Sequence, residues 1–358
     1  MADVAYPLTV LAMTGSAAAI MAAPVRRGPG RNPAPRRRAG QPPPGYSQAM
    51  TDDRFTVPAA NGRTLDVLAC GPADGLPFVF HSGTPSGLVT HDPMTDAAAA
   101  LGLRTVTYSR PGYGGSTPHP GRLVADAAAD VAVILDHMGA GPFVTAGWSG
   151  GGPHALACAA LLPGRCLAAA SIAGVAPYRG EGLDWLAGMG TENVQEFTAA
   201  AEGGAALTSL LAEGAEALRD VTAAELADGL GGLLSEADKA VISGGFAEYL
   251  AASLRAAVAG GTAGWRDDDL AFVQDWGFPL SGGGNGAGVP ITIWQGDQDR
   301  MVPYAHGAWL AAQLPGARAH LLPGEGHLTL AVTAFGQVLA DILDLAGVRP
   351  AGAGGQPG

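Results

Sequence analysis

Short apolar segments alternate with longer segments of helical periodicity along most of the chain. Eight apolar runs, bounded by glycine, proline or polar residues, have the length of buried strands. We predict strands at residues 54–57, 63–69, 77–82, 103–108, 142–147, 167–173, 290–295 and 317–322, and helices at 92–101, 122–138, 152–162, 303–314 and 329–346. This alternation favours an α/β fold in which helices flank a mostly parallel, eight-stranded sheet.

More than a hundred residues between the sixth and seventh strands contain no strong strand signal, and their pattern is helical. We therefore predict an all-helical cap at 179–265, inserted after a first core part at 50–178. The second core part, 266–348, begins with a helix at 266–278 that returns to the sheet. The glycine-rich residues 282–286 indicate a connector before the seventh strand.

Both ends of the chain are predicted to be disordered tails, at residues 1–49 and 349–358. The first tail is rich in proline and glycine and carries six arginines against one acid, Asp3. Residues 8–23 are weakly apolar, but no positive charge precedes them, which argues against a signal peptide. We expect a cytoplasmic protein and interpret Met50 as a natural start just before the first strand.

The composition indicates an enzyme of ordinary size with a substantial core, because hydrophobic residues make up 47% of the 358 positions. The net charge of −12 argues against nucleic-acid or anionic-membrane partners. No segment looks long or apolar enough to span a membrane. The three cysteines have no zinc spacing and form no disulfide framework. We expect a small-molecule substrate, no metal and no other cofactor; the oligomeric state is not predicted.

The most informative motif is Gly-Trp-Ser-Gly-Gly at residues 147–151. It fits the G-x-S-x-G pattern of a nucleophile elbow, in which Ser149 lies between a strand and a helix. With 55 glycines in the chain the pentapeptide could occur by chance. The predicted strand before it and the apolar helix after it make that interpretation less favourable. The turn must be tight, so the serine backbone should be strained and its neighbours small.

A nucleophilic serine needs a general base and an acid that orients the base. Of the eight histidines, His327 follows a predicted strand in a glycine-containing loop, as a catalytic histidine would. The preceding strand ends in a loop that contains both Asp297 and Asp299. We favour Asp299 because it lies three residues after Gly296, and either aspartate could instead be a helix N-cap.

On these motifs the chain resembles the α/β-hydrolases over most of residues 54–346. Residues 81–85, 109–116, 147–151 and the pair of loops within 296–327 carry the resemblance. The nearest group is the helical-cap hydrolases that include esterases, cofactor-free peroxidases and proline iminopeptidases. Relatives that act on epoxides or haloalkanes attack with an aspartate at the elbow, so the serine argues against their chemistry.

The resemblance implies an oxyanion hole made of two backbone N–H groups. One would belong to Gly150, which follows the nucleophile. Aligning the loop after the third strand on its glycine makes Thr84 the second donor, whereas aligning it on His81 would select Gly83. We prefer Thr84. The resemblance suggests structural roles for His81 and for Arg110, which would organise its own loop.

The expected function is a serine esterase that hydrolyses small to medium apolar carboxylic esters through an acyl-enzyme on the triad above. Trp148, Trp185 and Met189 are the predicted pocket residues, although most large apolar cap residues should only pack helices. One alternative is an aminopeptidase of the proline iminopeptidase type, which would need a cap acid such as Glu181 or Glu192. The other is a small-molecule receptor on a hydrolase scaffold.

Deleting residues 1–49 should leave folding and activity unchanged, because so polar and proline-rich a segment can bury little apolar surface. The measurement is thermal unfolding of the full chain against a chain that begins at Met50. A loss of several degrees in Tm on deletion would contradict the prediction, since it would mean that the tail stabilises the core.

Overall fold

The sheet of the computed structural model, which describes residues 50–280 and 288–349, contains all eight predicted strands. Its order is β1-β2-β4-β3-β5-β6-β7-β8; the β1–β2 and β2–β4 pairs are antiparallel and the others parallel. The strands are β1 (Met50–Pro58), β2 (Thr64–Pro72), β3 (Leu76–His81), β4 (Leu103–Tyr108), β5 (Phe143–Trp148), β6 (Cys166–Ile172), β7 (Ile291–Gly296) and β8 (Arg318–Leu322).

Helices cover both faces of the sheet, which is why the inner strands are apolar on both sides. The five predicted core helices are present. They are α1 (Asp92–Ala100), α2 (Asp126–His137), α3 (Gly152–Leu161), α10 (Tyr304–Gln313) and α11 (His327–Leu345).

Two helix boundaries differ from the prediction. Helix α2 begins four residues late, because the Asp126 carboxylate accepts the Leu123 amide at 2.8 Å and holds a turn before the helix. Helix α11 begins two residues early, at His327 itself.

Alternate residues of each inner strand enter two different cores. On β3, Phe78 packs towards α11, where its ring lies 6.2 Å from that of Phe335. The next residue, Val79, joins the core on the opposite face together with Val131 of α2. The alternation follows from the two-residue period of a strand. It fixes the register of the sheet, since a slip of one residue would exchange the two sets.

Six α-helices lie between β6 and β7 in the part of that segment that the structure describes, where the sequence predicts the cap. They are α4 (Thr191–Glu202), α5 (Ala205–Leu218), α6 (Leu226–Gly229), α7 (Glu236–Val241), α8 (Gly244–Val258) and α9 (Ala263–Val273). The predicted cap boundary at 265 falls inside α9, so the returning helix begins earlier than expected. The cap and core bounds stay predictions. The connector at 282–286, the tail at 1–49 and most of the tail at 349–358 lie outside the described residues.

One described helix, α11, is long and apolar enough to cross a membrane by length and composition. The expectation that no segment would meet that criterion is therefore wrong. The helix is apolar because it packs on the sheet: Val338, Leu339 and Ile342 are fully buried there. Length and composition do not separate such a core helix from a membrane span.

Candidate active site

The turn between β5 and α3 holds Ser149 in the left-handed backbone region, at φ 58°. Few residues other than glycine adopt this conformation, and it persists only where the surroundings enforce it. A Cβ atom on Gly147 would lie 1.9 Å from the Gly151 carbonyl oxygen, and one on Gly151 would lie 2.0 Å from the His81 carbonyl oxygen. The glycines therefore allow three backbone segments to touch, and Ser149 is left partly exposed at the apex.

His327 and Asp299 form a buried pair at the ends of neighbouring strands. The Nδ1 atom of His327 lies 2.8 Å from Oδ2 of Asp299, and both side chains are almost completely buried. Asp299 Oδ1 accepts the amides of Met301 and Val302 at 2.9 and 2.8 Å, while Gln295 donates to Oδ2 at 3.1 Å. These bonds fix the carboxylate in one orientation. The carboxylate therefore holds Nδ1 of the imidazole, and Nε2 is the ring nitrogen left to accept a proton.

Asp297, the alternative acid, faces away from this pair. Its exposed carboxylate accepts the Gly324 amide at 2.8 Å and the Gln298 side chain at 2.9 Å. These hydrogen bonds lower its pKa, the Gln298 bond most. The geometry thus favours Asp299 over Asp297 as the partner of the histidine.

Trp148, the residue before Ser149, contacts both the backbone and the ring of His327. The indole Nε1 donates to the His327 carbonyl at 3.2 Å, and the two rings pack with centroids 5.4 Å apart. Within residues 50–280 and 288–349, no hydrogen bond joins Ser149 Oγ to His327 Nε2. Catalytic hydrogen bonds are often loose in ligand-free enzymes and tighten when substrate binds.

The electrostatic surroundings of His327 favour its charged form. Burial alone would lower its pKa, but the charge and hydrogen bond of Asp299 outweigh burial, and the pKa is raised above its ordinary value. Asp238 adds to this effect. A base whose conjugate acid is stabilised in this way suits proton abstraction from a serine.

Asp238, on α7, was missed by sequence reasoning. Its fully buried carboxylate accepts the amides of Leu328 and Thr329 at 2.6 and 3.3 Å, so it caps the helix on which His327 is the first residue. The sequence placed Asp238 only within the predicted helical cap. No local pattern could show that this carboxylate reaches a segment 90 residues away.

The loop after β3 lies against the elbow. A Cβ atom on Gly83 would lie 3.3 Å from Ser149 Cβ, and one on Gly150 would lie 2.4 Å from Thr84 Oγ1. The two residues expected to donate to an oxyanion, Thr84 and Gly150, are therefore adjacent. The buried His81, at the end of β3, contacts Cys158 Sγ through Nε2 at 3.7 Å, in keeping with the structural role expected of it.

A family model described as the alpha/beta hydrolase fold matches residues 77–332. The chain belongs to this family. The non-heme chloroperoxidase of Streptomyces lividans is 33% identical to this hydrolase over 147 residues, which make up 40% of this chain and 53% of that protein. The match thus spans about half the length of that curated relative.

Solved structures show the same fold. An alpha/beta hydrolase fold protein from Nakamurella multipartita is 26% identical, with a TM-score of 0.55 over 82% of this chain and 100% of that one. A thermophilic esterase from Thermogutta terrifontis is 18% identical, with a TM-score of 0.57 over 82% of this chain and 99% of that one.

The predicted pocket residues of the hydrolase are tightly packed. Trp185 is 4% exposed; its indole donates to the Ala176 carbonyl at 2.6 Å and packs edge-on against Phe197. Met189 is buried in the same core, and Trp148 contacts His327 as described above. Trp148 is thus the one of the three that touches a candidate catalytic side chain, and the pocket assignment stays a prediction.

Replacing Gly147 by alanine should disrupt the elbow, because the new Cβ atom has no space beside the Gly151 backbone. We expect a loss of more than about 3 kcal/mol in the free energy of unfolding, measured by denaturant titration. Gly164→Ala is the matched control, since no atom lies within 4 Å of its Cβ position. Equal stability of the two variants would contradict the close approach.

The dependence of kcat/KM on pH should reflect the protonation of His327. Its raised pKa places the acid limb of kcat/KM above about pH 6.5, because the protonated ring cannot accept the serine proton. Asp299→Asn removes the charge that raises this pKa, so the limb should move to lower pH while kcat falls on the order of 10³-fold or more. The control Asp297→Asn should change neither quantity. An unshifted limb in Asp299→Asn would refute the pairing.

Proposed function

We propose that this hydrolase cleaves small to medium, fairly apolar carboxylic esters through an acyl-enzyme. The observation that carries the proposal is the buried Asp299–His327 pair beside a serine held at a positive φ. A carboxylate, an imidazole and a partly exposed serine hydroxyl are the parts that nucleophilic acyl transfer needs.

In the proposed mechanism, His327 Nε2 takes the Ser149 hydroxyl proton as Oγ bonds to the ester carbonyl carbon. The amides of Thr84 and Gly150 stabilise the negative oxygen that forms. The carbon–oxygen bond to the alcohol then breaks, and His327 returns its proton to the leaving alcohol. Water attacks the acyl-enzyme by the same route and releases the acid. Asp299 holds the ring and stabilises its charged form.

The substrate class rests on the chemistry around the site. Apolar and aromatic side chains dominate the helices between β6 and β7, which favours an apolar acyl or alcohol group. An esterase is among the proteins of the same fold, and a chloroperoxidase is a curated relative. The aminopeptidase alternative has less support: Glu181 and Glu192 are both exposed, and Glu192 already accepts the Gly232 amide at 3.1 Å.

Turnover of p-nitrophenyl esters of increasing chain length by wild type and Ser149→Ala tests the proposal. We expect a burst of p-nitrophenol from wild type, labelling of Ser149 by a fluorophosphonate, and neither from the variant. Prolyl p-nitroanilide, offered in parallel, should be turned over far more slowly. Ester turnover that survives Ser149→Ala would refute the mechanism, and faster cleavage of the anilide would favour the aminopeptidase.

A further inference from the structure

The most heavily bonded carboxylate outside the candidate triad belongs to Asp268, on α9. It is completely buried. Its oxygens accept hydrogen bonds from Arg110 Nη2 at 2.6 Å, Thr84 Oγ1 at 2.8 Å and the Tyr113 hydroxyl at 3.0 Å. Arg122 Nη1 forms an ion pair with Oδ1 at 2.7 Å. Burial alone would raise the pKa of Asp268, but the two guanidinium groups hold it well below its usual range. The group is therefore a fixed negative charge.

Arg110 links the Asp268 carboxylate to the loop after β3. While Nε and Nη2 face Asp268, Nη1 donates to the Ser82 carbonyl at 2.6 Å. Nη2 also donates to the Gly83 carbonyl and to Thr84 Oγ1, each at 2.8 Å. The planar fork thus fixes two consecutive carbonyl groups at once, which a lysine could not do.

The direction of those carbonyls determines where the amides point. The Ser82–Gly83 and Gly83–Thr84 peptide bonds are trans. In a trans peptide the N–H points to the side opposite its C=O. The amides of Gly83 and Thr84 therefore point away from Arg110, and neither donates a hydrogen bond to any other described residue. Gly83 itself packs on Ser149, so these free donors belong to the loop that lines the nucleophile.

The same helix also reaches the other expected oxyanion donor. Phe272 lies one turn after Asp268, and a Cβ atom on Gly150 would be 3.0 Å from its ring. The helix can approach so closely because its start has no side chain at Gly264. There its backbone meets Gly112, where a Cβ atom would lie 2.6 Å from the Gly264 nitrogen.

We propose that Asp268 is a positioning residue that acts through Arg110 to aim the oxyanion-binding amides of the loop after β3. This inference rests on the proposed function, because an oxyanion forms only if the enzyme performs acyl transfer. Asp268 does not touch the reacting atoms. It fixes the arginine, the arginine fixes the Ser82 and Gly83 carbonyls, and these fix the opposed N–H groups.

Asp268→Asn tests the proposal, because asparagine keeps the size of the side chain and removes the charge that holds both arginines. Donors placed wrongly by about an ångström should lower kcat about 10- to 100-fold while KM stays within about threefold. Ki for a trifluoromethyl ketone, whose adduct carries the oxyanion, should rise in proportion to the fall in kcat/KM. A purely structural role would lower Tm without separating kcat from KM.

Asp269→Asn is the matched control. Asp269 is the next residue on α9 and is also completely buried, but it faces Glu196 and not Arg110. Burial and Glu196 raise its pKa well above the ordinary value, so these surroundings favour an uncharged side chain, and asparagine is one of the same size. We expect wild-type kcat from this variant. Esterase activity of Asp268→Asn within twofold of this control would overturn the inference and leave the proposed function intact.

Hydrogen exchange of a peptide covering residues 78–90 gives a readout that needs no substrate. Its hydrogen-bonded amides, among them that of Gly87, which donates to the Ser253 carbonyl at 3.0 Å, should exchange about tenfold faster in Asp268→Asn than in Asp269→Asn, because a loop that has lost its anchor opens more often. If wild type hydrolyses no ester, the proposed function fails, and exchange alone decides whether Asp268 holds the loop; equal exchange rates in the two variants would overturn that too.

Should Asp268→Asn not fold, Thr84→Val removes only the hydroxyl bonded to Asp268. It should lower kcat about tenfold and speed exchange, and no change in either would refute the proposal.

Discussion

Backbone contact at the serine turn is the constraint on which the site depends. Ser149 keeps its positive φ because Gly151 lies directly on the end of β3, closer to the His81 carbonyl than any side chain would permit. The chain leaves β3 at this point and forms the loop of Gly83 and Thr84. Ser149 and the loop after β3 are therefore parts of one packed unit, and a change that moves one must move the other.

The second organising element is a group of buried charges behind that unit. Burying an arginine is costly unless its charge is matched and its donors are used. Arg110 and Arg122 share Asp268, and burial raises the pKa of the neighbouring carboxyl groups of Asp269 and Glu196. Asp268 thus offsets the charge of both arginines in the interior, and its hydrogen bonds and ion pairs give the group a fixed geometry.

Sequence patterns predicted the sheet because strand length, apolar content and glycine or proline boundaries are local properties. Ser149 and His327 could be selected from local motifs too, since parallel strands bring their carboxyl ends to one edge and the motifs follow those ends; their catalytic roles stay predictions. Asp299 could be favoured over Asp297 only by spacing, until the hydrogen bonds of each carboxylate could be compared. Local pattern says nothing of which distant group a helical aspartate meets, so Asp238 and Asp268 were beyond its reach. Composition likewise could not show that the apolar helix α11 is buried against the sheet.

Asp238 has a consequence for the order in which the molecule assembles. The helix that begins with His327 is capped by a carboxylate that lies 90 residues earlier in the chain, within the segment between β6 and β7. Its first turn cannot satisfy its amides locally, so it acquires its native start only when that distant segment has docked. Sheet formation alone therefore does not complete the histidine site. Fraying of the short helix α7 would free the Leu328 and Thr329 amides beside His327 while leaving the core intact.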